Sequence, residues 1–489
     1  MSWAIIVGAQ AQDDLDSLDA WVRSMQPDPF IRCGEEEWSR ALEETREMWL
    51  GGSYLEHVRM VNTLLQVLQD SHTTVSAYDW IWDVESAFGT LPIRWVIEGH
   101  ALWVLDSGIP ELPEQVRILS LNGLPAEDVV AAAIDLAPLE GQSAQATSRT
   151  AAHNVLSWVL GVTRKDSLSV TWVDSKLGLP VTKTWPTLRR RDARKAWQRI
   201  SSRRPVVHWT FPDGSLLTTR DIRRNRRVQH NDILAGKKPK VTTHFNGATT
   251  LKISSFSAGS WWSYQKRLYM GFQRLTEIGG PLIVDLRGNP GGQSPRMELL
   301  WNHLATKSTH LPWALVAKQS DITAKANARF YKRLRKRWVD RHLDSSSDAR
   351  YIHAMATLPL GETDTLFFPR KHPRHGSYRG DVAVLIDGES ASASVSFAGA
   401  IQSTGRGTLI GESCMGPANG TMGNPYLQIL PISGIVVSLS TAIYMAQPCN
   451  DWGATQPIQP DLLVPNMMIQ SEQFDETVDD WIKTKSRRH

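Results

Sequence analysis

The stretch Val382–Gly411 constrains the fold of this chain more than any other. It opens with an uninterrupted apolar run, Val382-Ala-Val-Leu-Ile386, short enough for a strand buried on both faces. A turn comes next at Asp387-Gly388-Glu389. Then Ser390-Ala-Ser-Ala-Ser394 leads into a small-residue helical pattern with Phe397, Ala400 and Ile401 on one face. Gly405 stops that helix, and Thr408-Leu409-Ile410 supplies another short strand. The spacing predicts a βαβ unit with serines at the helix N-terminus, where unpaired N–H groups and the helix dipole favour developing negative charge. An activated serine gains from that position. Serines also cap helices routinely, so the pattern takes its meaning from the rest of the chain.

From about residue 247 the same α/β grammar continues. Thr249–Phe256 reads as a strand and Trp261–Ile278 as a helix. Pro281–Arg287 reads as a buried strand ending in the turn Gly288-Asn289-Pro290-Gly291-Gly292, with a helix over Ser294–Thr306. Strands alternating with helices predict a mainly parallel sheet covered on both faces. Two strand–turn–helix units in one sheet bring both turns to the same edge, where α/β ligand sites form. Glycines let backbone approach a ligand closely and aim N–H groups at it. A serine beside such donors suits acyl transfer with an oxyanion hole. It still needs a base. Among 14 histidines the best placed is His72, in the polar turn Asp70-Ser-His-Thr73 after an apolar helix.

The remaining segments frame these turns. Residues 1–12 end in Ala9-Gln-Ala11 after a short apolar run, like the back half of a signal peptide without its basic start, which points to a periplasmic or secreted protein. Residues 13–75 read as helical: Leu15, Leu18 and Val22 keep helical spacing, Glu36–Leu50 is amphipathic, and Ser53-x-x-Glu56 is a capping box. Residues 76–186 turn toward strands, with an Asn122-Gly123 turn, a helix near 127–137 and a polar stretch at 141–152. Residues 187–244 are strongly basic and read as a linker or insertion around a hairpin at Val206–Phe211. No aromatic residues interleave its arginines on a repeating face, and a net charge of +4 supplies no global field, so nucleic acid is not expected as a partner. Lys332–Arg341 reads as the outer face of a helix, and Leu427–Met445 as two strands joined at Ser433-Gly434. Asp451–Pro465 reads as an irregular loop and 471–489 as a tail. The 20 tryptophans are scattered singly and suit core packing. No apolar run approaches about 18 residues, so no membrane span is expected. Cys33, Cys414 and Cys449 fit neither a zinc spacing nor a disulfide framework.

Three motifs, Asp285-Leu-Arg-Gly-Asn-Pro-Gly-Gly292, Ser390-Ala-Ser-Ala-Ser394 and Leu409-Ile-Gly-Glu-Ser413, resemble in order and spacing the core of peptidase family S41. That family includes the C-terminal processing (tail-specific) proteases and the tricorn protease. The resemblance covers about residues 245–465, within a core drawn at 245–470, and implies an α/β fold similar to the crotonase and ClpP-type spiral. It implies a serine-type endopeptidase that acts on a protein or peptide substrate through an acyl-enzyme, with no cofactor or metal. Ser392 would be the nucleophile, with the Ala393 amide and a glycine amide from Gly291-Gly292 as the oxyanion hole. The processing branch's general-base lysine falls at Pro417 and its motif glutamate at Val395, so a Ser/Lys dyad is not expected. Leu68-Gln-Asp-Ser-His-Thr73 resembles the histidine segment of the tricorn-like branch, which implies His72 as base with Ser71 assisting or orienting it. That branch's acid precedes a Pro-Asp pair, matched here by Pro460-Asp461. Its glutamate is absent, and Asp451 is the nearest substitute. Arg117–Val130 resembles the end of a PDZ module without its carboxylate-binding loop, so 76–186 reads as a divergent version. If the protein is exported, Cys414 and Cys449 could pair beside the site. The alternative reading is an inactive S41 fold that binds peptides. Oligomeric state is not legible.

Overall fold

Val382–Ile386 forms the strand its sequence predicts, and all five residues are buried. In the computed structural model it lies inside a six-stranded sheet ordered Leu462–Leu463, Thr408–Gly411, Val382–Ile386, Leu282–Asp285, Thr249–Ile253, Val207–Thr210. Neighbours pair in parallel except at the far edge, where Val207–Thr210 runs antiparallel to Thr249–Ile253. The register pairs Leu282 with Val382 and Asp285 with Leu385, so the two central strands end level and release their turns side by side. Continuous apolar runs are needed because both faces are covered. Leu282, Val284, Val382, Val384 and Ile386 face one core, while Ile283, Ala383, Leu385 and Ile410 face another. Each fully buried side chain of this kind contributes about 1.5–3 kcal/mol.

The structure describes residues 2–49, 52–174, 178–200, 207–217, 245, 247–257, 259–325, 339, 347–373, 376–446, 453–464 and 471–486. The chain divides into two compact units. The sheet above belongs to the unit made of Arg194–Leu311, Arg370–Ala418 and Pro457–His489. Helices Trp261–Ile278, Ser294–Leu304 and Ala393–Thr404 pack on its first face, and Ser471–Ser486 covers the second. The segment expected as a tail is therefore part of the core. Its Phe474, Val478, Trp481 and Ile482 are buried at helical spacing against Ile283, Leu385 and Ile410. The loop expected at 451–465 also contributes a short strand, Leu462–Leu463, which pairs beside Thr408–Gly411.

The other unit comprises Met1–Ala193, Pro312–Pro369 and Asn419–Gln456. The stretch 245–470 is thus shared between the two units rather than forming one continuous core. Helix Ser2–Met25 runs through the segment expected as the end of a signal peptide. Helices Glu35–Met48 and Tyr54–Gln66 come next, the latter with the expected Ser53–Glu56 capping box in place. Residues 76–186 hold more helix than their pattern suggests: Ala77–Phe88, Ala126–Asp135, Ala144–Ala151 and Val155–Thr163. Asn122 and Gly123 take φ values of 49° and 84° and turn Ile118–Leu121 onto Leu124–Pro125, as an Asn-Gly turn should. Leu427–Met445 yields three strands rather than two. Tyr426–Ile429 and Val436–Leu439 pair with each other, and Ala442–Met445 joins a separate sheet beside Ala314–Lys318. The basic stretch 218–244 lies outside the described residues, as does 332–341 apart from Val339. Among the described residues, no helix is long and apolar enough to cross a membrane.

Candidate active site

The Ser-x-Ser-x-Ser pattern separates its serines by what their hydroxyls do. Ser390 Oγ donates to the Leu286 carbonyl at 3.0 Å, and Ser394 Oγ donates to the Asn289 carbonyl at 3.0 Å. Both serines are fully buried and fasten the Ser392 turn to the end of strand Leu282–Asp285 and the turn that follows it. Ser392 lies between them, half-buried, and its hydroxyl has no partner among the described residues. Its backbone takes φ 53° and ψ −116° at the N-cap of helix Ala393–Thr404. A residue other than glycine in that region costs of the order of 1–3 kcal/mol, and such strain concentrates at functional turns. The sharp turn leaves Ser392 outside the helix while Ala393 opens it.

The glycine turn sits against this serine. A Cβ on Gly291 would fall 2.5 Å from the Ala391 oxygen, 2.7 Å from Ser392 Cβ and 2.8 Å from the Ala393 nitrogen. Asn289 holds the turn: its Nδ2 donates to the Ile253 carbonyl, and its Oδ1 accepts the Gly291 N–H at 2.9 Å. Asp387 ties the two turns together, since the Gly288 N–H donates to both of its oxygens at 3.0 Å. The Glu389 N–H donates to the same carboxylate, and Ser390 Oγ lies 3.1 Å from it. The Gly291 amide is therefore occupied, whereas the amides of Gly292 and Ala393 have no acceptor among the described residues.

His72 lies in the other unit, in the turn between helix Tyr54–Gln66 and the short strand Thr74–Val75. That strand pairs with Val437 and Ser438, and Asn62 on the helix clamps it by accepting the Val75 N–H at 2.9 Å. Gln69 adopts φ 52°, and the buried Asp70 organises the turn on either side of His72. Asp70 Oδ1 accepts the His72 N–H at 2.9 Å, while Oδ2 accepts the hydroxyls of Thr73 and Ser440. Burial, then the nearby Glu140 carboxylate, push the Asp70 carboxyl above its ordinary range. The His72 Nδ1 stands 3.5 Å from Ser71 Oγ, and Nε2 has no partner among the described residues.

Sequence reasoning missed Glu140. Its Oε2 accepts both the Ser71 hydroxyl at 2.7 Å and the Ser71 N–H at 3.0 Å. Its Oε1 pairs with Arg32 at 2.8 Å, with both side chains essentially inaccessible. Asp70, His72 and Glu140 bring ligand-type atoms within 4.8 Å of one another. Protein donors and a guanidinium already occupy the carboxylate oxygens, so the cluster fits a hydrogen-bond network rather than a metal ion. No local signal marks Glu140, because its partners lie far from it in sequence.

Residues 248–464, which include the whole Ser392 turn, match the model for Peptidase family S41. The match covers the Ser392 turn, the Gly288–Gly292 turn and the strands that carry them. No curated protein matches it in sequence. Among solved structures, mature CPAF complexed with lactacystin is similar with a TM-score of 0.65 and 14% identity, covering 99% of this chain and 100% of that one. Mature CPAF gives 0.63 and 14%, covering 97% of each chain. The photosystem II D1 C-terminal processing protease gives 0.42 and 13%, covering 96% and 97%. The likeness to CPAF is one of fold.

Within the S41 motifs the departures are structural as well as sequential. Pro417 and Val395, at the places of the processing branch's lysine and glutamate, are both buried. Lys252, on the strand beside the glycine turn, holds Asp285 at 3.1 Å and the Arg287 carbonyl. Burial would raise Asp285, but Arg287 and Lys252 overcome it and hold the carboxyl well below its usual range. Asp451 and Cys449 lie outside the described residues. Cys414 is buried, which pushes its thiol well up.

Proposed function

We propose that the protein is a serine-type endopeptidase that hydrolyses peptide bonds through an acyl-enzyme on Ser392. The observation that carries this reading is the Ser392 turn: a strained, half-buried serine flanked by two serines whose hydroxyls are hydrogen-bonded, beside two amides without an acceptor among the described residues. Oγ attacks the scissile carbonyl carbon as His72 Nε2 takes its proton. The amides of Ala393 and Gly292 stabilise the resulting oxyanion. Collapse breaks the C–N bond, and the imidazolium returns its proton to the leaving amine. Water then hydrolyses the ester by the same route and regenerates the Ser392 hydroxyl. Assigning the base to His72 rests on the resemblance of Leu68–Thr73 to the tricorn-like branch and on the open Nε2.

The test is labelling with an active-site serine phosphonate, mapping of the modified residue, and turnover of an unfolded casein-like substrate. Modification is expected at Ser392 and is expected to fail in His72→Ala. Ser392→Ala and His72→Ala should each lower turnover on the order of 10³-fold or more. If neither substitution changes turnover, the enzyme reading fails. The protein is then a silent S41 relative, consistent with the buried Pro417 and Val395.

A further inference from the structure

The acid expected after the nucleophile has no matching glutamate in this chain, yet a glutamate from an unrelated stretch stands behind the histidine turn. We propose that Glu140, acting through the Ser71 hydroxyl, fixes the ring orientation and tautomer of His72; this positioning role rests on the peptidase reading above. Ser71 is the link between them. Its Oγ–H donates to Glu140 Oε2 at 2.7 Å, and its N–H donates to the same oxygen at 3.0 Å. A hydroxyl whose proton is committed to a carboxylate presents only lone pairs to its other neighbours. The neighbour here is His72 Nδ1, at 3.5 Å. A proton on Nδ1 can donate into that lone pair, whereas a bare Nδ1 would face it lone pair to lone pair. The Nδ1–H tautomer is therefore favoured, and Nε2 keeps the lone pair that a general base needs.

Glu140 can serve this purpose because it cannot turn away. Arg32 Nη1 pairs with Oε1 at 2.8 Å and also binds the Gln69 carbonyl, while Nη2 donates to the Gly420 carbonyl at 2.7 Å. The adjacent Gly141 docks onto the same Gln69 carbonyl through its N–H at 3.0 Å. At φ 55°, Gly141 has no room for a side chain, since a Cβ would meet the Thr455 oxygen at 2.3 Å. Asp70 serves the turn instead: its oxygens accept the His72 N–H and the hydroxyls of Thr73 and Ser440, and none accepts the Ser71 hydroxyl. Glu140 touches neither substrate nor reacting atoms. It acts only through Ser71.

The experiment compares Ser71→Ala, Glu140→Gln and the double variant in the full chain. Ser71→Ala leaves the Arg32–Glu140 pair intact, so it separates positioning from folding. Each single substitution should lower kcat on the order of 10²-fold with KM little changed, and the double should fall no further than the worse single. Nitrogen-15 spectra of histidine-labelled protein, with His72 assigned by its loss in His72→Ala, should show Nδ1–H in the parent chain and a tautomer mixture in Ser71→Ala. Additive losses in the double, or an unchanged His72 tautomer in Ser71→Ala, overturn the proposal. If Ser392→Ala and His72→Ala abolish turnover while both singles keep the parent kcat, positioning fails and the peptidase reading stands. If the parent chain turns over no substrate, the peptidase reading fails and the tautomer spectra alone decide.

Discussion

Gly291 has φ +88°, and a Cβ there would meet backbone on the Ser392 turn at 2.5 Å and 2.8 Å. Any side chain at this position incurs two separate penalties: left-handed backbone and a collision with atoms that cannot swing aside. Gly291→Ala should lower stability by at least about 1–3 kcal/mol, measured by denaturant unfolding, and slow phosphonate labelling of Ser392. A variant as stable and as reactive as the parent would show that the two turns do not pack against each other. The sequence offered three serines in one pattern, and local rules could not rank them. The carbonyls of Leu286 and Asn289 do so by occupying Ser390 and Ser394.

At the scale of elements, the two strand–turn–helix units act as one because Asp387 at the end of one strand binds the turn after the other. Burial, reinforced by Glu389, raises its carboxyl to about 6, against the opposing Gly288 amide and the cations Lys252 and Arg287. A carboxyl that holds its proton more tightly in the folded chain favours folding at low pH. That contribution is complete below the unfolded value of about 4 and is lost as pH rises through the folded value. Between roughly pH 4 and 6 the parent should thus lose stability relative to Asp387→Asn as pH rises. Denaturant midpoints across that range measure the difference, and parallel curves would refute the assignment.

At the scale of the molecule, each unit is assembled from three separate stretches of chain. Within the first, Arg32 joins Gln69, Glu140 and Gly420, residues remote from one another in sequence. Removing one member of a buried ion pair leaves an uncompensated charge and costs about 3–5 kcal/mol, while replacing both by apolar groups costs much less. Arg32→Met should therefore destabilise strongly, and Arg32→Met/Glu140→Leu should recover part of the loss, read from unfolding midpoints. Equal midpoints for the single and double variants would mean that the ion pair is not what holds these segments.

Local periodicity and turn chemistry sufficed for the parallel strands, the capping box at Ser53 and the Asn122-Gly123 turn. Each depends on residues only a few positions apart, and propensity and capping act over that range. The helix Ser471–Ser486 carries an apolar stripe at helical spacing, but its place in the core depends on a sheet face formed much earlier in the chain. Glu140 was not legible at all. A buried carboxylate becomes tolerable only when partners such as Arg32 and Ser71 converge on it, and tertiary structure alone decides that convergence.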